Sequence, residues 1–155
     1  MSFVFAFTSC DDSMSRLDVF GYTVGQEIPS DEFKVIVDNK NLDFPYREVN
    51  LNSYDNIVLE IIGDRNIIYQ ITQTNINIDE QIQMVDLISK KLRSEPERKE
   101  DVVLSNIWIC DMLIWKDNNT YDNITLTNCK LKNDSINHEP NWELTITNDT
   151  LRQKL

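Results

Sequence analysis

Ile57-Val58-Leu59-Glu60-Ile61-Ile62 runs into Gly63-Asp64-Arg65-Asn66, and Ile67-Ile68-Tyr69-Gln70-Ile71-Thr72 returns. Two β-branched apolar runs thus flank four turn-forming residues, the pattern of a β-hairpin. Alternation places Ile57, Leu59 and Ile61 on one face, and Ile67, Tyr69 and Ile71 on one face of the returning strand. Strands this apolar belong in the middle of a sheet, where both faces have neighbours.

Past this hairpin the period changes. Ile78, Ile82, Val85, Ile88 and Leu92 recur at helical spacing and form one apolar stripe, so a helix is expected over residues 78–93. Asn77, with Glu80 three residues on, provides a capping box, and Asp79 favours the positive helix start. Lys90, Lys91 and Arg93 suit the negative end, and Pro96 stops the helix. Glu95 to Asp101 is expected to be a charged surface loop. Ile107 to Trp115 is apolar on both faces except at Asp111 and so should lie centrally. Asp117-Asn118-Asn119-Thr120 supplies turn chemistry, Ile124 to Leu131 returns, and Trp142, Leu144 and Ile146 mark a half-exposed strand.

On the N-terminal side, Phe44 to Leu51 reads as extended, with Pro45 pointing to an edge. Phe33 to Val37 alternates like a strand, competing with a short helix begun at Ser30. Gly21 and Gly25 serve a tight turn rather than a phosphate loop, since no Lys-Ser/Thr ending follows. No internal repeat is evident. Strands, helix, strands is the order of an α+β domain, a mainly antiparallel sheet packed against one principal helix. That domain is expected over residues 20–155.

At 155 residues, 41% hydrophobic and 26% charged, the chain has an ordinary globular composition and enough length for a core without staples. Its formal net charge of −11 would repel phosphate backbones, which argues against nucleic acid, and would draw in a basic protein partner. A metal site lacks ligands, because His138 is the single histidine and sits in a polar stretch without a second one. Asp117 to Asn123 offers oxygen ligands but lacks the glycine and terminal glutamate of a calcium loop. Sequons at Asn118, Asn123, Asn133 and Asn148 are what an Asn-rich chain yields by chance. Trp108, Trp115 and Trp142 read as core residues, with Trp115, near a hairpin end, the candidate for exposure. No catalytic residue and no cofactor motif emerges.

Three cysteines remain. Centring the hairpin between Asn119 and Thr120 sets Trp115 opposite Ile124, Leu113 opposite Leu126, and Cys110 opposite Cys129. In that register the last pair lies within disulfide reach, and a slip of one residue would send the two thiols to opposite faces. Two buried free thiols are the competing reading.

The third cysteine ends the stretch Met1-Ser2-Phe3-Val4-Phe5-Ala6-Phe7-Thr8-Ser9-Cys10, which Asp11 and Asp12 follow. An uncharged apolar run, then small residues, then cysteine resembles the end of a bacterial lipoprotein signal peptide, truncated here because no basic residue precedes it. The resemblance implies removal of residues 1–9, a lipid on Cys10, a polar tether over 10–19, and a bacterial cell-envelope location. A membrane would then be held through the lipid anchor only, and Cys110 and Cys129 would meet an oxidising compartment. The competing reading of Phe3, Phe5 and Phe7 is a buried N-terminal strand, in a protein that stays in the cytoplasm. Two functions are expected from these features. One is a non-enzymatic envelope lipoprotein that binds a protein partner, and the other is an acidic immunity or inhibitor protein that neutralises a basic toxin or enzyme.

Overall fold

A computed structural model describes residues 16–41, 43–133 and 139–154. The elements in chain order are β1 (Phe33–Asn39), β2 (Tyr46–Leu51), β3 (Tyr54–Ile62), β4 (Ile67–Ile76), α1 (Ile78–Leu92), β5 (Glu97–Leu104), β6 (Trp108–Asp117), β7 (Asp122–Leu131), β8 (Trp142–Thr147) and α2 (Asp149–Lys154). All eight strands join one antiparallel sheet in the order β1-β2-β3-β4-β8-β7-β6-β5. The fold is therefore mainly β, with two helices added to the sheet.

The hairpin quoted first forms β3 and β4, with Leu59 facing Ile71. A register shift after Glu60 makes Ile68, not Ile67 or Tyr69, the partner of Ile61. The extra residue sends Ile68 and Ile71 to the core, while the Tyr69 hydroxyl donates to the Glu60 carboxylate. The face expected for Ile67, Tyr69 and Ile71 is thus corrected by a bulge, a feature alternation cannot foresee.

Helix α1 packs on the face that carries Leu59, Leu113, Trp115 and Leu126; Trp115 donates from Nε1 to Ser89 Oγ at 3.3 Å. Asn77 and Glu80 make both bonds of the capping box, each 3.0 Å. The apolar stripe is only partly used. Ile88 is buried and Val85 and Leu92 touch the core, but Ile78 and Ile82 are 46% and 59% exposed. Gln81, Met84 and Leu87 turn inward or sideways instead, so the buried stripe is rotated toward them.

Several further expectations are corrected. Glu97 to Asp101 belongs to strand β5, because an edge strand needs no apolar outer partner and tolerates charge. Trp115 is buried at 2% exposure and Trp108 is open at 42%. Leu17 and Val19, inside the expected tether over 10–19, are core residues. Residues 1–15, including Cys10, lie outside the described residues, as does His138.

The topology also exposes an internal repeat that the linear reading misses. Two four-stranded meanders, β1–β4 and β5–β8, are each followed by a helix and meet at the β4–β8 seam. Tyr54-Asp55-Asn56-Ile57-Val58-Leu59 opens β3, and Tyr121-Asp122-Asn123-Ile124-Thr125-Leu126 runs into β7 with only Val58 exchanged for Thr125. Tyr69-Gln70-Ile71-Thr72-Gln73-Thr74-Asn75 in β4 aligns more loosely with Trp142-Glu143-Leu144-Thr145-Ile146-Thr147-Asn148, sharing Thr72/Thr145, Thr74/Thr147 and Asn75/Asn148. Pairing agrees with this alignment: Leu59 faces Ile71, and their counterparts Leu126 and Leu144 face each other. The match is hidden in sequence because loops of unequal length separate the like segments.

Candidate functional site

The hairpin β6–β7 turns back tightly at Asp117 and Asp122, and its register runs without a break from that pair to Trp108 opposite Leu131. Because side chains alternate, Leu113 and Trp115 point to the helix-covered face, and Trp108, Cys110 and Met112 point to the other. On that outer face Trp108 lies between Leu104 of β5 and Leu131 of β7, its direct neighbours on either side. All three are more than two-fifths exposed, and Ile107 beside them is 57% exposed. One row inward, Val102, Cys110 and Cys129 are aligned across the same three strands.

The structure joins Cys110 and Cys129 in a disulfide, with Cα atoms 4.1 Å apart. It lies two residues from Trp108 and Leu131 and ties their strands together. A large aromatic side chain with aliphatic flanks is thereby presented to solvent on a rigid support. Such an arrangement suits burial against another macromolecule, where Trp is a favoured anchor. Sequence reasoning named the cysteine pair but read Trp108 as a core residue, whereas it is exposed. The available signal was alternation, which puts Trp108 on the face of the strand opposite Leu113 and Trp115.

The other polar cluster serves the fold. Asp122, 2% exposed, accepts a hydrogen bond from Asn148 Nδ2 at 2.6 Å and lies 3.6 Å from Arg16 Nε. Asn148 Nδ2 also donates to the Thr120 carbonyl at 2.8 Å, while Asn148 Oδ1 caps helix α2 by accepting from Leu151 N. Burial pushes the Asp122 carboxyl above its usual range against the pull of Asn148 and Arg16, and Asp117 adds to the rise. Asp117 Oδ1 accepts from Asn119 N at 2.9 Å. Asp117 Oδ1, the Thr120 carbonyl and Asp122 Oδ1 are thus engaged in hydrogen bonds of the turn. Among the described residues no group of three or more His, Cys, Asp or Glu side chains is placed to hold a metal. No described helix is long and apolar enough to cross a membrane.

No protein family, characterised protein or solved structure matches the chain. Its functional reading therefore rests on its own residues.

Proposed function

We propose that this chain is a non-enzymatic accessory protein of the bacterial cell envelope, anchored through a lipid on Cys10 and binding a protein partner. The observation that carries the binding role is Trp108, exposed between Leu104 and Leu131 beside the Cys110–Cys129 disulfide. A tryptophan held on a stapled strand loses little freedom on binding, so its buried area converts efficiently into affinity. The charge of −11 favours encounter with a basic partner. The disulfide fits an oxidising compartment, which is what lipidation at Cys10 implies.

Two measurements test the proposal in the producing cell. Intact mass of the protein expressed from its own locus should show a chain beginning at Cys10 with added acyl mass. An unmodified Met1 terminus would overturn the anchor and favour a cytoplasmic acidic inhibitor of a basic toxin or enzyme. A photo-crosslinking residue at position 108 should yield one discrete protein adduct that the same residue at position 36, on the opposite sheet edge, does not. Equal adducts from both positions, or none, would overturn the assigned surface.

A further inference from the structure

The two sulfurs of the Cys110–Cys129 disulfide stand in different surroundings. Cys110 is fully buried, and Cys129 is exposed. The register explains the contrast. Cys110 has a strand on either side, with half-buried Val102 of β5 as its direct neighbour on the side away from Cys129. Cys129 has a strand on one side only. β8 begins at Trp142, opposite Asn128, so the ladder stops one residue short of Cys129. Asn141, just before that strand, donates from its side chain to Asn75 of β4, on the far side from β7.

Thiol–disulfide exchange depends on this difference. An incoming thiolate approaches along the line of the S–S bond, from behind the sulfur it attacks, so access at each end decides which sulfur reacts. A bond between directly opposed residues runs across the strands, and its line meets Val102 at one end. At the other end it leaves β7 where no further strand is paired. The approach is closed at Cys110 and open at Cys129.

From this we infer that Cys129 is a thiol-acceptor site, where a small monothiol of the glutathione or cysteine class adds as a mixed disulfide and releases Cys110. The incoming thiol gives its proton to solvent, and its sulfur forms the new S–S bond with Cys129 Sγ. The Cys110–Cys129 bond breaks, and Cys110 leaves with the electron pair and takes up a proton. The incoming sulfur is oxidised and Cys110 is reduced, so no further oxidant takes part.

Burial acts on Cys110 in two ways. A desolvated thiolate is a poorer leaving group, which slows the step. The same desolvation keeps the released thiol protonated and slows its return attack, so the adduct persists. Slower departure changes the rate but opens no approach at Cys110, and access therefore sets the choice of sulfur. The fold accommodates the adduct. β6 and β7 are paired without a break from Asp117–Asp122 to Trp108–Leu131 by backbone bonds that do not involve the sulfurs.

Reduced glutathione is the probe, applied in excess to a folded full-length Cys10→Ser chain so that no third thiol competes. The reaction is quenched early with acid, thiols are capped with N-ethylmaleimide in acidic urea, and unreduced peptides are mapped by mass spectrometry. Glutathione should sit on Cys129 and the maleimide on Cys110, with a preference of roughly tenfold or more. Exchange carried out in urea should divide evenly between the two, since both sulfurs are then open. Val102→Ala, which shortens the side chain behind Cys110, should move the folded chain's adducts toward Cys110. The inference is overturned by preference for Cys110 or even division in the folded chain, or by no folded-chain adduct under conditions where the urea-treated chain reacts. A Val102→Ala partition identical to that of the parent would equally overturn it. The readout involves neither the lipid on Cys10 nor the Trp108 surface.

Discussion

Thr72 and Thr145 face each other across the β4–β8 seam and mark the axis that relates the two halves of the protein. On one side of them Ile71 faces Ile146, and on the other Gln73 faces Leu144. Under the internal alignment Ile71 corresponds to Leu144 and Gln73 to Ile146, so these two pairs exchange when the halves are swapped. Differences between the halves therefore stand out against a common frame. Gln73 for Ile146 is one, and the buried Asp122 for the exposed Asp55 is another.

The frame itself predicts equivalence at its core. Leu59 and Leu126 occupy matching positions and are both fully buried. Leu59→Ala and Leu126→Ala should each cost about 2–5 kcal/mol in urea unfolding, through lost transfer energy and the cavity left behind. A loss under about 1 kcal/mol at either site would show that its half is not packed as described.

The helix caps should not be equivalent. Asn77→Ala removes one exposed cap and should cost about 1 kcal/mol. Asn148→Ala removes a cap and also strips buried Asp122 and the Thr120 carbonyl of their donor. Its cost should exceed that of Asn77→Ala by roughly the 1–3 kcal/mol of an unsatisfied buried group. Thermal unfolding of the two variants side by side decides the order.

The disulfide closes a segment with a sequence separation of 19. Constraint of the unfolded chain by such a loop is worth about 3 kcal/mol. Cys110→Ser/Cys129→Ser should lower the urea midpoint accordingly, and reductant should lower that of the parent but not of the double variant. Identical midpoints with and without reductant for the parent would rule out the bond.

Asp122 gives the stability a pH dependence of defined sign. Its folded carboxyl binds a proton more tightly than the unfolded one, because it is buried. Its contribution is complete below the unfolded value of 3.8 and declines as pH rises through the folded value. The stability of the parent relative to Asp122→Asn should therefore fall as pH is raised from about 4 toward neutral. A difference between the two that stays constant across this range would contradict the assignment.

Gln73→Met should raise stability. It replaces an unpaired buried acceptor by an apolar chain of similar length, and the gain should be about 1–3 kcal/mol. Differential scanning calorimetry reads this directly. A destabilised variant would mean that the amide has a partner that the described residues lack.

The sequence by itself determined the local structure. Alternation placed β3, β4, β6, β7 and β8, helical spacing and the Asn77–Glu80 box placed α1, and turn chemistry at Asp117 to Thr120 set Cys110 opposite Cys129. These depend on neighbours a few residues apart, or on one tight turn, and such couplings survive in a linear pattern. Tertiary structure alone decided the rest. The bulge at Tyr69, the rotation of α1 that leaves Ile78 and Ile82 in solvent, and strand β5 among charged residues each depend on what lies across the sheet. The same holds for the exposed tryptophan and the buried amide. Trp108 is open and Trp115 closed because they lie on opposite faces of β6 and α1 covers only the face of Trp115, and Gln73 is an orphan because folding buries it at a seam between segments more than 70 residues apart. Burial is a property of the whole packed chain, and no local spacing of residues encodes it.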